Sequence, residues 1–454
     1  MSFITPRNAI LTGAMLWATH AFAAGSGHAD PIAPILLAMI PILLTAKLAG
    51  ELFERLGQPA VLGELLGGVV LGNLILLNPA WNFFEPLRAA VLQEDWAVVI
   101  DSFARLGVII LLFEVGLESS VKGMMQVGAS SFLVAVIGVI APFILGYAVS
   151  WIFIKDLPAQ LAAIVPADFS LSYVHMFMGA VLCATSVGIT ARVFKDLGKL
   201  QIKEAQIILG AAVIDDVLGL IILAIVAGII TAAQAGQALA FGEIARLIIL
   251  AVVFFGATLA FGHFILPKLM QQLAKLRSSG VMLIAALLIA FGLSYLANAI
   301  GLAAIIGAFA AGLILEESHF HKFRDKYELE DLLKPLAAVF VPIFFVLMGI
   351  QVRLETFANL SVLGVAAGLT LAAIIGKQVC GFGTLQKGLD RLTIGVGMIP
   401  RGEVGLIFAG IGKSLNVIDD ATFSAVVIMV IVTTLVTPPI LKLTLAQREK
   451  AFAG

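Results

Sequence analysis

Asp215 and Asp216 are adjacent carboxylates in the middle of an apolar stretch long enough to cross a bilayer. From Ala205 to Ile230 the only other polar side chain is Gln206, near one end. At ~1.5 Å of rise per residue, a helix of this length traverses the ~30 Å hydrocarbon core. A charge at its centre costs roughly 2.5–3.5 kcal/mol on insertion scales, and an aspartate stem is too short to reach the interface. Residues held at that cost face a polar cavity, a counter-charge or a transported ion. The chemistry implied is the binding and release of a cation or a proton inside the membrane.

Lys377 is the only charged side chain in the apolar stretch 360–383. Successive helical residues lie about 100° apart, so Asp215 and Asp216 face different ways. One can meet Lys377 while the other opens into a cavity. A neighbouring ammonium favours the ionised form of a carboxylate. The carboxylate without the lysine is then the one able to alternate between a proton and a metal cation. The bland alternative is a buried ion pair that only fixes helix packing; it needs one carboxylate and leaves the second unexplained. Glu64, Glu114 and the Arg401/Glu403 pair also fall inside apolar segments. Glu64 and Glu114 sit beside small residues and read equally as local hydrogen-bonding groups or as auxiliaries. Arg401 and Glu403 balance charge around a helix break. His319 and His321 belong to a charged, solvated loop, and His175 and His263 read as interfacial.

These residues need helices to hold them. The chain is 61% hydrophobic and 13% charged, with a mean hydropathy of +1.07; a soluble domain carries about 25% charged residues. It is therefore an all-α polytopic membrane protein. Thirteen apolar segments are expected, at about 32–53, 58–77, 99–117, 128–153, 173–195, 204–231, 243–266, 280–298, 302–316, 332–351, 360–383, 390–412 and 420–442. Residues 1–30 precede them as a signal peptide with an Ala21-Phe22-Ala23 cleavage site, or as an extra helix. Residues 446–454 form a short cytoplasmic tail. Lysine and arginine collect in alternate loops, from Arg192, Lys195, Lys199 and Lys203 through Lys322, Arg324 and Lys326 to Arg448 and Lys450. This places residue 30 outside and the C-terminus inside. Net charge is −1, and no basic cluster suggests nucleic acid. Cys183 and Cys380 lack metal-ligand spacing.

Two patterns locate the site. Val61–Leu71 reads like Ile305–Leu315, and Phe113–Glu118 like Val346–Gln351. Each pair is seven segments apart, so the paired elements point in opposite directions, as in inverted-topology repeats with a site near the midplane. Second, Ala184-Thr185-Ser186-Val187-Gly188 and Gly397-Met398-Ile399-Pro400-Arg401-Gly402 look like breaks at corresponding depths. Proline removes a backbone donor, and irregular backbone at membrane depth survives only inside protein or along a watery cavity. Freed carbonyls and the Thr185 and Ser186 hydroxyls suit a hard monovalent cation.

Gln58–Glu64, Leu112–Glu118, Ala184–Arg192, Ala212–Gly219 and Pro400–Glu403 together resemble motifs of the second monovalent cation:proton antiporter family. The likeness runs from about residue 31 to 445, and NapA-like bacterial sodium/proton antiporters are the nearest type. The resemblance implies an elevator-like homodimer in the bacterial inner membrane. Its core would comprise about 128–231 and 360–442, its dimerisation scaffold about 32–117 and 280–351, and its linker helix about 243–266. It implies that Asp216 carries the ion and proton, with Thr185 beside it as a cation ligand. Asp215 would release and regain Lys377, and Thr185, Ser186 and Pro400 would mark the crossover. It also implies electrogenic exchange of Na+ or Li+ for protons, no cofactor, and sodium extrusion and pH homeostasis as the purpose.

Other functions are weighed against this. K+/H+ exchange on the same fold uses the same carboxylates and is the alternative. Gated potassium efflux is disfavoured, since no GxGxxG motif follows the last segment. A channel fits a buried lysine counter-charge less well than an alternating site. An aspartyl protease needs two carboxylates sharing a proton, whereas neighbours on one helix point apart. A sensor need not keep an exchangeable pair.

Overall fold

A computed structural model describes residues 30, 32–88, 94–118, 128–166, 169–199, 202–235, 241–276, 278, 280–315, 328–386 and 388–453. The expected signal segment 1–29, the loop holding His319 and His321, and the basic residues Lys322, Arg324 and Lys326 lie outside these residues. Of Arg192, Lys195, Glu403, Arg448 and Lys450 only the backbone is described.

Every apolar segment expected from residue 32 onward carries helix. In chain order these are α1 (Ile32–Arg55), α2 (Ala60–Gly72), α3 (Asp95–Glu118), α4 (Ala129–Phe153), α5 (Ser172–Val181), α6 (Val187–Asp196), α7 (Lys203–Gln234) and α8 (Phe241–Phe264). They continue as α9 (Leu266–Leu273), α10 (Val281–Ala299), α11 (Ala304–Ile314), α12 (Leu329–Ile350), α13 (Leu360–Cys380), α14 (Arg391–Gly397), α15 (Gly402–Ser414) and α16 (Asp420–Ala453). Among the described residues, eight helices are long and apolar enough to span a bilayer alone, or nine if the α8–α9 pair, bent by 49°, counts as one. The protein is thus a multi-pass membrane protein. Pro267, at the start of α9, cannot donate the helical bond that would carry α8 straight on. The α16 helix runs on to Ala453, so the residues expected as a separate tail continue the last helix.

The chain folds into two compact units. One comprises the residues up to Gly107 together with Val339–Arg353; the other comprises Val108–Ala338 and Leu354–Gly454. In the first unit, α2 is stopped by Asn73, whose amide donates to the Val69 carbonyl and to the Val352 carbonyl and accepts from the buried Arg88. Along α1, residues 36, 40, 44, 48 and 52, all leucine or isoleucine, form an exposed apolar stripe, as expected of a helix flank facing lipid or a second copy.

The repeat read from the sequence reappears as repeated contacts. In the first unit a methyl added at Gly63 would run into the Ala49 carbonyl, one at Gly68 into the Val346 carbonyl, and one at Gly349 into the Leu65 carbonyl. In the second unit Gly307 meets Leu293, Gly312 meets Phe113, and Gly116 meets Phe309 in the same way. The sequence alignment pairs Gly63 with Gly307, Leu65 with Phe309, Gly68 with Gly312, Phe113 with Val346 and Gly116 with Gly349. Each backbone approach therefore has its counterpart. Both short helices also begin alike, from an extended residue at Pro59 and at Ala303. Small residues drive such packing because lipid offers helices no hydrophobic incentive to associate. Gly312→Ala is accordingly expected to lower the thermal stability of the detergent-solubilised protein, at an overpacking cost of about 1–3 kcal/mol. Gly256→Ala, where no atom lies within 4 Å of the added methyl, should leave the melting temperature unchanged or slightly raised. Equal melting curves for the two variants would show that the repeated contact carries no weight.

Candidate functional site: a buried ion pair beside two crossing helix breaks

The second unit brings the two broken helices together. The α5 helix ends at Val181 and α6 begins at Val187; α14 ends at Gly397 and α15 begins at Gly402. The two interruptions hydrogen-bond to each other. The Ser186 amide donates to the Pro400 carbonyl at 2.9 Å, and the Thr190 hydroxyl donates to the Gly397 carbonyl at 2.6 Å. The Arg401 guanidinium donates to the Ala184 carbonyl. A Cβ at Gly402 would lie 2.8 Å from the Ser186 hydroxyl, so a side chain there would require the Ser186 hydroxyl to shift. Each break exposes helix-terminal carbonyls and amides that the interrupted ladders cannot satisfy, and the partner break answers several of them.

The α7 helix passes beside this crossing. A methyl at Gly397 would lie 2.5 Å from Ile208 of α7, and Gly219, one turn past Asp215, faces Phe408 of α15. Asp215 and Lys377 are fully buried and form an ion pair, the Lys377 Nζ donating to Asp215 Oδ1 at 2.7 Å. The Thr185 hydroxyl and the Arg401 guanidinium both lie close enough to interact with the Asp215 carboxylate. Asp216, the next residue on α7, is only partly buried. The two carboxylates thus have different surroundings: Asp215 is fully buried against an ammonium, while Asp216 is partly buried, with its Oδ1 enclosed. Arg401 is wholly enclosed and faces Asp215 across the crossing.

Of the residues singled out from the sequence, Asp215, Lys377, Thr185, Ser186, Pro400 and Arg401 converge here, with Asp216 adjacent. Glu64 does not belong to this group. It is buried on α2 in the first unit, and its repeat counterpart is Ala308, so only one repeat carries the carboxylate. Glu114 is partly buried on α3, two residues before the Gly116–Phe309 contact. The Glu403 side chain lies outside the described residues. His263 is exposed against Phe264. His175, read as interfacial, is enclosed within the second unit, hydrogen-bonded to the Ser150 hydroxyl at 2.8 Å and packed edge-on against Tyr147. Both cysteines are free thiols that flank the ion pair; Cys183 donates to the Val139 carbonyl. Their separate apolar stretches gave no sign of that proximity. Among the described residues, no cluster of three or more histidine, cysteine or acidic side chains could hold a metal ion.

The sodium/hydrogen exchanger transmembrane family profile matches residues 40–447. The chain belongs to that family. Its relatives include the high-affinity Na+/H+ antiporter NhaS3 of Synechocystis sp., 39% identical over 92% of each chain. The Na+/H+-K+ antiporter GerN of Bacillus cereus is 36% identical, covering 90% of this chain and 96% of its own. In fold, this exchanger-family chain resembles the sodium proton antiporter MjNhaP1 of Methanocaldococcus jannaschii, with a TM-score of 0.64 at 16% identity, over 92% of this chain and 97% of that one. The family is one of transporters.

Proposed function

We propose that the protein is a secondary active antiporter that exchanges Na+ or Li+ for protons across a bacterial inner membrane. The observation that carries this reading is the unequal pair of carboxylates on α7. Asp215 is neutralised by Lys377 in full burial, while Asp216 is partly accessible beside two helix breaks that expose hydroxyls and carbonyls. Such a site can hold either a proton or a cation on Asp216, with Thr185 as a neighbouring ligand, and present it alternately to the two sides. Competition of both ions for one carboxylate is what couples their fluxes.

Membership of the exchanger family supports the further elements of the proposal. Access alternates by an elevator-like movement of a core of about 128–231 and 360–442 relative to a scaffold of about 32–117 and 280–351, joined by the linker helix. The protein works as a homodimer with its C-terminus in the cytoplasm, and Glu64, Glu114, Arg401 and Glu403 tune the charge around the pathway. Exchange of two protons per sodium moves one net charge, worth ~2.3 kcal/mol per 100 mV, so the membrane potential would drive sodium out. K+/H+ exchange is the second reading, favoured by the similarity to a relative named as a Na+/H+-K+ antiporter.

The test is reconstitution into proteoliposomes with an imposed pH gradient, followed by addition of Na+, Li+ or K+. Gradient dissipation by Na+ and Li+ but not K+ is the expected result. Dissipation by K+ alone would select the second reading. No cation-dependent dissipation, with protein correctly inserted, would sink the antiport reading. Crosslinking of cysteines introduced along the α1 stripe tests the dimer.

A further inference from the structure

Helix α4 contributes no charge, yet it forms one wall of the ion-pair site. A Cβ at Gly138 would lie 3.5 Å from Lys377 Nζ, 3.6 Å from Asp215 Oδ1 and 3.4 Å from the Cys380 Cβ. Bare α4 backbone therefore faces the pair. One helical turn further on, Gly376, the neighbour of Lys377, approaches α4 so closely that its own Cβ would lie 2.8 Å from Pro142 Cα and 3.0 Å from Pro142 N. The α13 backbone is pressed against α4 at the level of Pro142, and the lysine reaches from there back to the level of Gly138. Pro142 sits inside the helix and has no amide hydrogen. The carbonyl four residues earlier, that of Gly138, consequently has no helical donor. A buried carbonyl without a donor is costly, while a lysine ammonium carries three donors, of which Asp215 takes one. Among the described residues, the other ionisable groups around the pair are Asp216 on α7, Cys380 on α13, and Cys183 and Arg401 in the two breaks.

We propose that Gly138 is a positioning residue for the exchange reaction. Its missing side chain leaves the slot in which the Lys377 ammonium reaches Asp215. Its carbonyl, freed by Pro142, is the second acceptor that keeps the ammonium in place when the pair opens. This rests on the antiport reading above, in which Asp215 releases and regains Lys377. Two substitutions act separately on the two halves of the device. Gly138→Val fills the slot, and Pro142→Ala restores the amide that claims the carbonyl.

Two measurements test it. In proteoliposomes, Gly138→Val is expected to lose transport roughly hundredfold, the scale of a misplaced reacting group. Gly138→Ala, whose methyl meets only ordinary van der Waals contacts, and Pro142→Ala should transport with a displaced pH profile and a changed apparent cation affinity. Gly146→Ala is the structural control: its methyl would lie 2.8 Å from the Met178 carbonyl, crowding α4 two turns from the slot. It should lower thermal stability and leave the pH profile in place. Wild-type profiles and affinities in both Gly138→Ala and Pro142→Ala would overturn the proposal. Independently of transport, the coupling between Lys377→Ala and Asp215→Asn can be read from melting curves in the wild-type and Gly138→Ala backgrounds. A changed coupling supports the slot even if the wild type proves not to exchange cations, an outcome that would sink only the antiport reading. An unchanged coupling overturns the slot whatever the transport result.

Discussion

Lys377→Ala is expected to abolish cation-dependent transport and to destabilise the solubilised protein by about 3–5 kcal/mol, the cost of leaving a buried charge without its partner. Both members of the pair are fully enclosed, and the Lys377 ammonium donates to Asp215 Oδ1 at 2.7 Å. Removing the lysine takes the ammonium hydrogen bond from a carboxylate that is fully buried. The double variant Lys377→Ala with Asp215→Asn removes both charges and should recover much of the lost stability without recovering transport. Thermal unfolding of the wild type, the two single variants and the double variant gives the coupling directly. Additive losses would mean that the pair does not stabilise the fold. Transport by the double variant would show that the pair is dispensable for exchange.

Asp216→Asn should reduce pH-gradient dissipation on cation addition to the level of protein-free liposomes, with little change in thermal stability. The substitution keeps the shape of the side chain but removes its ability to exchange a proton for a cation. Asp216 is only partly buried and is not the residue locked to Lys377, so its substitution leaves the buried ion pair intact. Asp215→Asn provides the contrast, because it leaves a buried ammonium unpaired and should cost stability as well as rate. Full activity in Asp216→Asn, with loss in Asp215→Asn, would reverse the two assignments. Loss of stability in Asp216→Asn equal to that in Asp215→Asn would mean that the two carboxylates share one structural role.

The consequences of the two substitutions differ because neighbours in sequence have different environments, and sequence alone could express this only as an alternative. Helical geometry requires Asp215 and Asp216 to face apart. Which of them meets Lys377 depends on how α7 is rotated against α4 and α13, and rotation is set by side-chain packing across helices distant in the chain. The resemblance to known antiporters implied Asp215 as the partner; in the structure Lys377 donates to Asp215 at 2.7 Å. The cost of burying charge in hydrocarbon, by contrast, is local, and so Asp215, Asp216 and Lys377 stand out in any reading of the chain.

The helices themselves were legible for the same reason: apolar runs of membrane length specify them residue by residue. The breaks at 182–186 and 398–401 were marked by hydroxyls, glycines and a proline, and the repeat by glycines whose spacing matches their later contacts. The mutual bonding of the breaks, through Ser186 with Pro400, Thr190 with Gly397 and Arg401 with Ala184, joins residues more than 200 positions apart and leaves no local signature. Gly138 and Pro142 were silent for a related reason. A glycine and a proline in an apolar helix read as ordinary membrane residues until a lysine from α13 is found against them. Sequence by itself thus determined the membrane class, the helices, their interruptions and the charges inside them, because hydrophobicity, proline and charge act where they stand. Tertiary structure alone decided which charges meet, which carbonyls are shared and which bare backbone faces the pair, because those depend on distances between helices that no local residue pattern encodes.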